Sequence, residues 1–274
     1  MEILSPQNAR VKEWAQLLEK KYRDKQSKYL VEGIHLVQEA LRAQVHIECV
    51  AYDIEKGIPS QLAQDAAART DVEWIAVSAA VIAKCSDTKT PQPVFAVVHK
   101  ERNHSNQLLR QKDALVIVLD GVQDPGNVGT IIRTADAAGA NGVILGKGCA
   151  DIYNPKSIRS TMGSLFHLPV VEADLLELLP KAKEAGARII STSLQATSNC
   201  FEYDFTKKSA WLLLGSEGQG VSAEVRTLVD DDIIIPMRGQ AESLNVAMAA
   251  SVLLYEAVRQ RFFNQTIIPV HTHK

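Results

Sequence analysis

Apolar positions recur at helical spacing at the start of the chain, where Val11, Trp14 and Leu18 follow Ser5-Pro6. That spacing predicts an opening helix, with Ser5 as its cap and Pro6 in the first turn. A second helix is predicted over 33–43, with Ile34, Val37 and Leu41 on one face. Short β-branched runs predict strands at Val45–Ala51, Val72–Val77 and Val94–Val98. These elements make a small α/β domain over residues 1–100. The polar, mixed-charge stretch KERNHSNQLLRQK follows, and 101–113 is taken as a linker in which Leu108 and Leu109 offer a docking point for a short helix.

From residue 114 to 274 the pattern changes to regular alternation. Apolar strands are predicted at Ala114–Leu119, Gly142–Leu145, Leu168–Val171, Arg188–Thr192, Ala210–Leu214 and Asp232–Ile235, with helices over Asn127–Ala138 and Asp174–Ala185. Such alternation argues an α/β domain with a mostly parallel sheet covered by helices on both faces. Ligands of such sheets collect beyond the carboxyl ends of the strands, which directs attention to the loops after Leu119, Leu214 and Ile235. The last predicted helix, Ser243 to Phe263, is apolar on two sides: Leu244, Met248, Leu254 and Val258 on one, Val246, Ala249, Leu253 and Ala257 on the other. A helix of that kind must be covered all round, and a second copy of the chain is the favoured cover.

Composition changes this picture little. The 274 residues are 46% hydrophobic and 23% charged, as in a soluble globular protein. The net charge of -2 advertises no nucleic acid. Its distribution is uneven and leaves two readings open, a phosphate-binding surface or a solvated helix face: residues 1–28 hold Arg10, Lys12, Lys20, Lys21, Arg23, Lys25 and Lys28 against Glu2, Glu13, Glu19 and Asp24. Four scattered cysteines (Cys49, Cys85, Cys149, Cys200) and seven histidines without ligand spacing argue against a disulfide framework and predict no metal site. No apolar segment is long enough to span a bilayer, so the expected compartment is the cytoplasm.

Two glycine patterns are decoys. GVILGKG (142–148) lacks the phosphate-loop spacing, and the glycines of GSEGQG (215–220) do not match the dinucleotide fingerprint. Three loops remain. In DGVQDPGNVGTIIRTADAAGA (120–140), Pro125-Gly126 makes a turn, Asn127 is read as the helix cap, and Arg133 lies six residues on. In LLLGSEGQGVS (212–222), Gly215, Gly218 and Gly220 let a ligand approach the backbone. Glu217 in that loop is open to three uses: capping the next helix, binding a ribose hydroxyl or positioning a cation. In IIIPMRGQAESLNVAMAASVLLYE (233–256), Pro236 ends a strand and Ser243 and Asn245 precede or open the final helix.

Taken in order, Asn127-Val128-Gly129, Arg133-Thr134, Gly215-Ser216-Glu217-Gly218 and Ser243-Leu244-Asn245-Val246 resemble the three motifs of the SpoU (TrmH) family of RNA 2'-O-ribose methyltransferases, within the SPOUT superfamily. KSIRSTMGSLFHLPV (156–170) is also family-like, and Tyr29-Leu30-Val31-Glu32-Gly33 resembles the substrate-binding domain of ribosomal-RNA members. The resemblance implies a deep trefoil knot in the C-terminal domain and S-adenosylmethionine as cofactor. Contacts to the cofactor would fall on Gly215, Ile235 and Leu244, with Glu217 and Gly220 beside them. It further implies a homodimer and a catalytic set of Arg133, Asn127, Ser243 and Asn245. Lys28, Glu32, Lys156 and Arg159 become candidates for contact with RNA. The implied substrate is 23S ribosomal RNA; the alternatives are a transfer-RNA methyltransferase and a catalytically silent RNA-binding protein of ribosome assembly.

Overall fold

The computed structural model describes residues 1–100 and 105–262. By internal contacts the chain divides into two units. The first takes in residues 1–100 together with 128–133 and 150–167; the second takes in 105–127, 134–149 and 168–262.

In the first unit, β1 (Glu2–Ile3), β2 (Lys28–Glu32), β3 (Ile47–Asp53), β4 (Glu73–Val77) and β5 (Val94–His99) form a mixed sheet in the order β1-β4-β3-β5-β2. Alternation along β5 builds a core on each face. Val94, Ala96 and Val98 pack with α3 (Ile34–Arg42), whereas Phe95 and Val97 pack with Val11 and Trp14 of α1 (Ala9–Gln16) and Val81 and Ile82 of α5 (Ala79–Lys84). Trp14 meets Phe95 edge-on, with ring centroids 5.6 Å apart. The expected cap at Ser5 is corrected: Asn8 caps α1, accepting the Arg10 N–H at 2.8 Å, because Ser5 and Pro6 are spent in the preceding turn. Two further helices, α2 (Lys20–Gln26) and α4 (Ala63–Ala68), are too short for their periodicity to be read.

The segment 150–167 contributes α8 (Pro155–Thr161) to this unit, and Ile158 joins the core of α3. A buried ion pair fixes it. Arg23 of α2 meets Asp151 at 2.6 Å and also donates to the Leu17 and Leu18 carbonyls, each at 2.8 Å. Arg23 is thus a structural cation rather than part of a basic surface.

The second unit is a seven-stranded, all-parallel sheet in the order β10-β12-β9-β11-β6-β7-β8. Its strands are β6 (Leu115–Asp120), β7 (Gly142–Leu145), β8 (Val170–Glu172), β9 (Arg188–Thr192), β10 (Ser198–Asn199), β11 (Ala210–Gly215) and β12 (Asp231–Ile234). One face packs Val116, Val118, Ile144, Trp211 and Leu213 against Leu175 and Leu179 of α9 (Leu175–Glu184). Within the expected linker, α6 (Ser105–Leu109) docks on this core through Leu108, which is 1% exposed; residues 101–104 lie outside the described residues. After the short α10 (Ala223–Arg226), the final helix α11 (Val246–Phe262) begins three residues later than Ser243, and Phe263 lies outside the described residues. No described helix is long and apolar enough to cross a membrane.

Candidate functional site

Asp120, Gly215 and Ile234 are the last residues of β6, β11 and β12, so the three sequence-flagged loops all leave the carboxyl end of one sheet. After β6 the chain turns at Gly121 and enters α7 (Pro125–Ala137). Its cap is Asp124, whose carboxylate accepts the Asn127 N–H at 2.8 Å, with Pro125 at the first helical position. The expectation of Asn127 as cap is thereby corrected; the Asp-Pro pair was the local signal for the true start. Asn127 keeps its side chain for another purpose. Its Nδ2 donates to Glu217 Oε1 at 2.7 Å, and its Oδ1 accepts from Asn245 Nδ2 at 3.1 Å.

Asn245, rather than Ser243, is the cap of α11. Its Oδ1 accepts from the Ala247 N–H at 2.9 Å and the Met248 N–H at 3.4 Å. With Oδ1 committed to the helix, only Nδ2 remains to reach Asn127. A one-way chain of donors therefore runs Asn245 to Asn127 to Glu217 and joins all three loops. Burial pushes the Glu217 carboxyl up in pKa. The Asn127 amide and the backbone N–H groups of Glu217, Gln123 and Asp124 outweigh it and hold the group below the ordinary carboxylate value.

The loop after β11 is a closed backbone turn. Ser216 N–H donates to the Gly220 carbonyl and Gly220 N–H to the Ser216 carbonyl, both at 3.0 Å. Gly220 has a φ of +69°, the left-handed region where a glycine is at ease. At Gly215 the reason for glycine is space: a Cβ there would lie 2.0 Å from the Gly220 carbonyl carbon and 2.1 Å from the Val221 nitrogen. Ile235 directly follows β12 and is half-buried, while Ser243 and Leu244 lie exposed just before α11. Such a set offers backbone donors and acceptors plus fixed amides, suited to a polar organic ligand. Among the described residues no group of three or more histidine, cysteine or acidic side chains could hold a metal ion.

Arg133 is exposed on α7, six residues beyond Asn127. Two of the residues singled out for RNA are held in ion pairs within the first unit. Lys28 pairs with Glu48, and Arg159 forms a two-pronged pair with Asp87 at 2.5 and 3.1 Å. Glu32 accepts from the Ser86 and Thr88 hydroxyls at 2.7 and 3.0 Å and from the Gln92 N–H at 3.2 Å, which makes it the organiser of the 86–92 loop. Lys156 is exposed near the start of α8. Sequence reasoning missed Asp120 and Asp124, both of which shape the loops rather than face outward.

Residues 114–255 match the model of the SpoU rRNA methylase family, and residues 8–96 match the MRM3-like substrate binding domain. The chain is 39% identical to the 23S rRNA (guanosine(2553)-2'-O)-methyltransferase RlmP of Bacillus subtilis, across 93% of this chain and 98% of that one. It is 34% identical to a 23S rRNA (uridine(2479)-2'-O)-methyltransferase of Streptomyces viridochromogenes, across 96% and 94%. Among solved structures, the AdoMet complex of the SpoU methyltransferase AviRb from Streptomyces viridochromogenes matches with a TM-score of 0.85 at 34% identity, covering 93% of this chain and 98% of that one. An AdoMet-bound rRNA methyltransferase from Sinorhizobium meliloti matches with a TM-score of 0.84 at 33% identity, covering 94% and 97%. With both sequence and fold matched along nearly the whole chain, the protein belongs to the SpoU rRNA methylase family.

Proposed function

We propose that this protein methylates a ribose 2'-hydroxyl of ribosomal RNA, most specifically 23S ribosomal RNA, with S-adenosylmethionine as methyl donor. The observation that carries the reading is the hydrogen-bonded union of the three loops through Asn245, Asn127 and Glu217 at the carboxyl end of the parallel sheet. The residues present fit the cofactor. Gly215 and Gly220 close a turn with no room for a Cβ at Gly215, and Ile235 and Leu244, near the two ends of the third loop, supply apolar side chains. When bound, S-adenosylmethionine supplies a methyl group already activated on sulfonium. What the protein adds is alignment of the hydroxyl with that methyl, a contribution that can account for much of the rate.

Arg133 is the residue read as acting on the hydroxyl. A guanidinium stays protonated in a protein, so it is unsuited to take the proton. Its role is to stabilise the negative charge that develops on the ribose oxygen as the hydroxyl proton passes to solvent water and the methyl leaves a neutral thioether behind, and to hold a neighbouring phosphate. Asn127 and Asn245 tie the first turn of the helix that carries it to the third loop, and Ser243, two residues before Asn245, is assigned a supporting role.

The N-terminal domain, residues 1–100, is assigned to RNA capture, with Lys156 and the exposed lysines of the first helices as phosphate contacts. Arg159 and Lys28 contribute only if they leave their carboxylate partners. The second domain, 114–274, carries transfer, and its C-terminal part is read as knotted on the strength of the family. The active form is read as a homodimer. Met248, Tyr255 and Phe262 recur every seven residues along α11 and remain 48%, 53% and 48% exposed, a stripe that a second copy would cover. The cytoplasm is the proposed compartment, in keeping with four unpaired cysteines, of which Cys49 and Cys85 are pushed up to about 12 by burial.

The test is transfer of labelled methyl from S-adenosylmethionine to ribosomal RNA, transfer RNA and assembling ribosomal particles in parallel, followed by mapping of the 2'-O-methylated position. Label in transfer RNA alone would overturn the substrate assignment. Cofactor binding without transfer to any of the three would favour a silent assembly protein.

A further inference from the structure

Asp120 carries no role in the reaction as so far described, yet it is a carboxylate only 8% exposed at the end of a central strand. Its Oδ2 accepts the Ser222 N–H at 2.7 Å. Asp120 is also the register partner of Gly215, so it lies beside the residue at which the glycine loop leaves β11 and holds the residue at which that loop returns. Between these points the loop is closed by the Ser216–Gly220 pair of backbone bonds and by the Ser216 hydroxyl, which accepts the Gln219 N–H at 3.2 Å. The outgoing and returning arms are in direct backbone contact at Gly215 and Gly220. A neutral side chain at 120 would grip the returning arm less firmly, since a hydrogen bond to an ionised acceptor is about twice as strong as a neutral one.

We infer that Asp120 is a positioning residue for the cofactor: by anchoring the Ser222 amide it keeps the Gly215–Gly220 turn closed and ready to receive S-adenosylmethionine. The inference rests on reading that turn as part of the cofactor cradle. A loop that is already shut binds without first being ordered, and that saving goes directly into affinity. With its carboxylate engaged by the Ser222 amide, the effect of Asp120 falls on cofactor binding and not on the transfer step.

Two variants separate this from a general structural role. Asp120→Ala removes the acceptor. Ser222→Pro removes the donor, and Ser222 already has a φ of -60°, which proline adopts without strain. Both should weaken S-adenosylmethionine binding, read by calorimetry, by roughly ten- to hundredfold, the scale of one hydrogen bond to a charged group. The turnover rate at saturating cofactor should change by less than about threefold, the signature of lost binding rather than lost transition-state contact. Asp120→Asn, which keeps an acceptor oxygen, should recover most of the affinity. Should Asp120→Ala not fold, Ser222→Pro gives the same reading from the other side of the bond. Cofactor affinity within about twofold of the parent in folded Ser222→Pro, and in Asp120→Ala where it folds, together with unchanged exchange of the Gly220 amide, would overturn the inference. If the parent protein binds no S-adenosylmethionine, the cofactor assignment fails instead, and Gly220 amide exchange still reports whether Asp120 closes the turn.

Discussion

Replacing Gly215 by alanine offers the sharpest check on the glycine turn, because the obstruction is backbone against backbone. The added Cβ would sit 2.0, 2.1 and 2.3 Å from the Gly220 carbonyl carbon, the Val221 nitrogen and the Gly220 oxygen, where ordinary contact begins at 3.4 Å. The returning arm must therefore retreat by about 1.4 Å, too far for the two 3.0 Å bonds between Ser216 and Gly220 to survive. Two neutral hydrogen bonds at about 1 kcal/mol each give a penalty of about 2 kcal/mol. The turn can open locally without unfolding the sheet, so the variant should fold, with a melting temperature lower by about 4–8 °C. Binding would have to restore the closed turn, and 2 kcal/mol corresponds to a Kd roughly 30-fold weaker. Gly218 supplies the control, since a Cβ there meets nothing within 4 Å. Calorimetric titration of S-adenosylmethionine into Gly215→Ala and Gly218→Ala should separate the two by that factor. Equal affinity in both, or equal loss in both, would refute the argument that the closed turn shapes the cofactor site.

Arg133→Ala should abolish methyl transfer while leaving cofactor affinity within about twofold, because the residue is exposed and lies away from the glycine turn along the chain; parallel loss of binding would mean that Arg133 supports the fold of the site. Glu217→Gln should remove an acid limb from cofactor binding. The Glu217 carboxyl is held below its ordinary value in the folded protein, so its contribution is complete above the unfolded carboxyl pKa and disappears as pH falls through the folded one. Titrations from pH 7 down to about 3 should show that loss in the parent and not in the variant. Arg23→Met strands the buried Asp151 carboxylate, which is 8% exposed, and should cost about 3–5 kcal/mol in urea unfolding; a loss under about 1 kcal/mol would show the pair to be dispensable. Tyr255→Glu, on the exposed stripe of α11, should convert a dimer to monomer by light scattering if that stripe is the interface between copies.

Much of the sheet was legible because buried parallel strands read as apolar runs. Gly142–Leu145 and Arg188–Thr192 have the predicted bounds, and Ala210–Leu214 extends by one residue. Less legible were the places where the deciding force is not periodicity. The true start of α7 depends on Asp124-Pro125, three residues before the asparagine that looked like the cap. The membership of 150–167 in the first unit depends on Arg23 and Asp151, separated by 128 positions, and on Ile158 entering the core of α3. No local pattern announces a long-range ion pair. The basic character of the N-terminus was likewise overstated by counting: Arg10 is paired with Glu73, Arg23 with Asp151 and Lys28 with Glu48.

The three loops were each weak alone, and the reason lies in how they are joined. Asn245 must end its helix with an acceptor, so its amide nitrogen points outward; that forces Asn127 to accept and in turn to donate. An obligate acceptor at its end fixes the direction of such a chain, and Glu217, kept ionised by the same donors, is one. A glutamine at 217 can accept as well, but its amide can also turn and present a donor to the Asn127 amide, so the direction of the chain would no longer be fixed. Residue type at each of the three positions is therefore set by its neighbour in space, and the pattern has meaning only when all three loops are read together. The same logic explains why a scan for catalytic groups passes over Glu217. Its carboxylate accepts the Asn127 amide and so orients both asparagines at the N-terminus of α7.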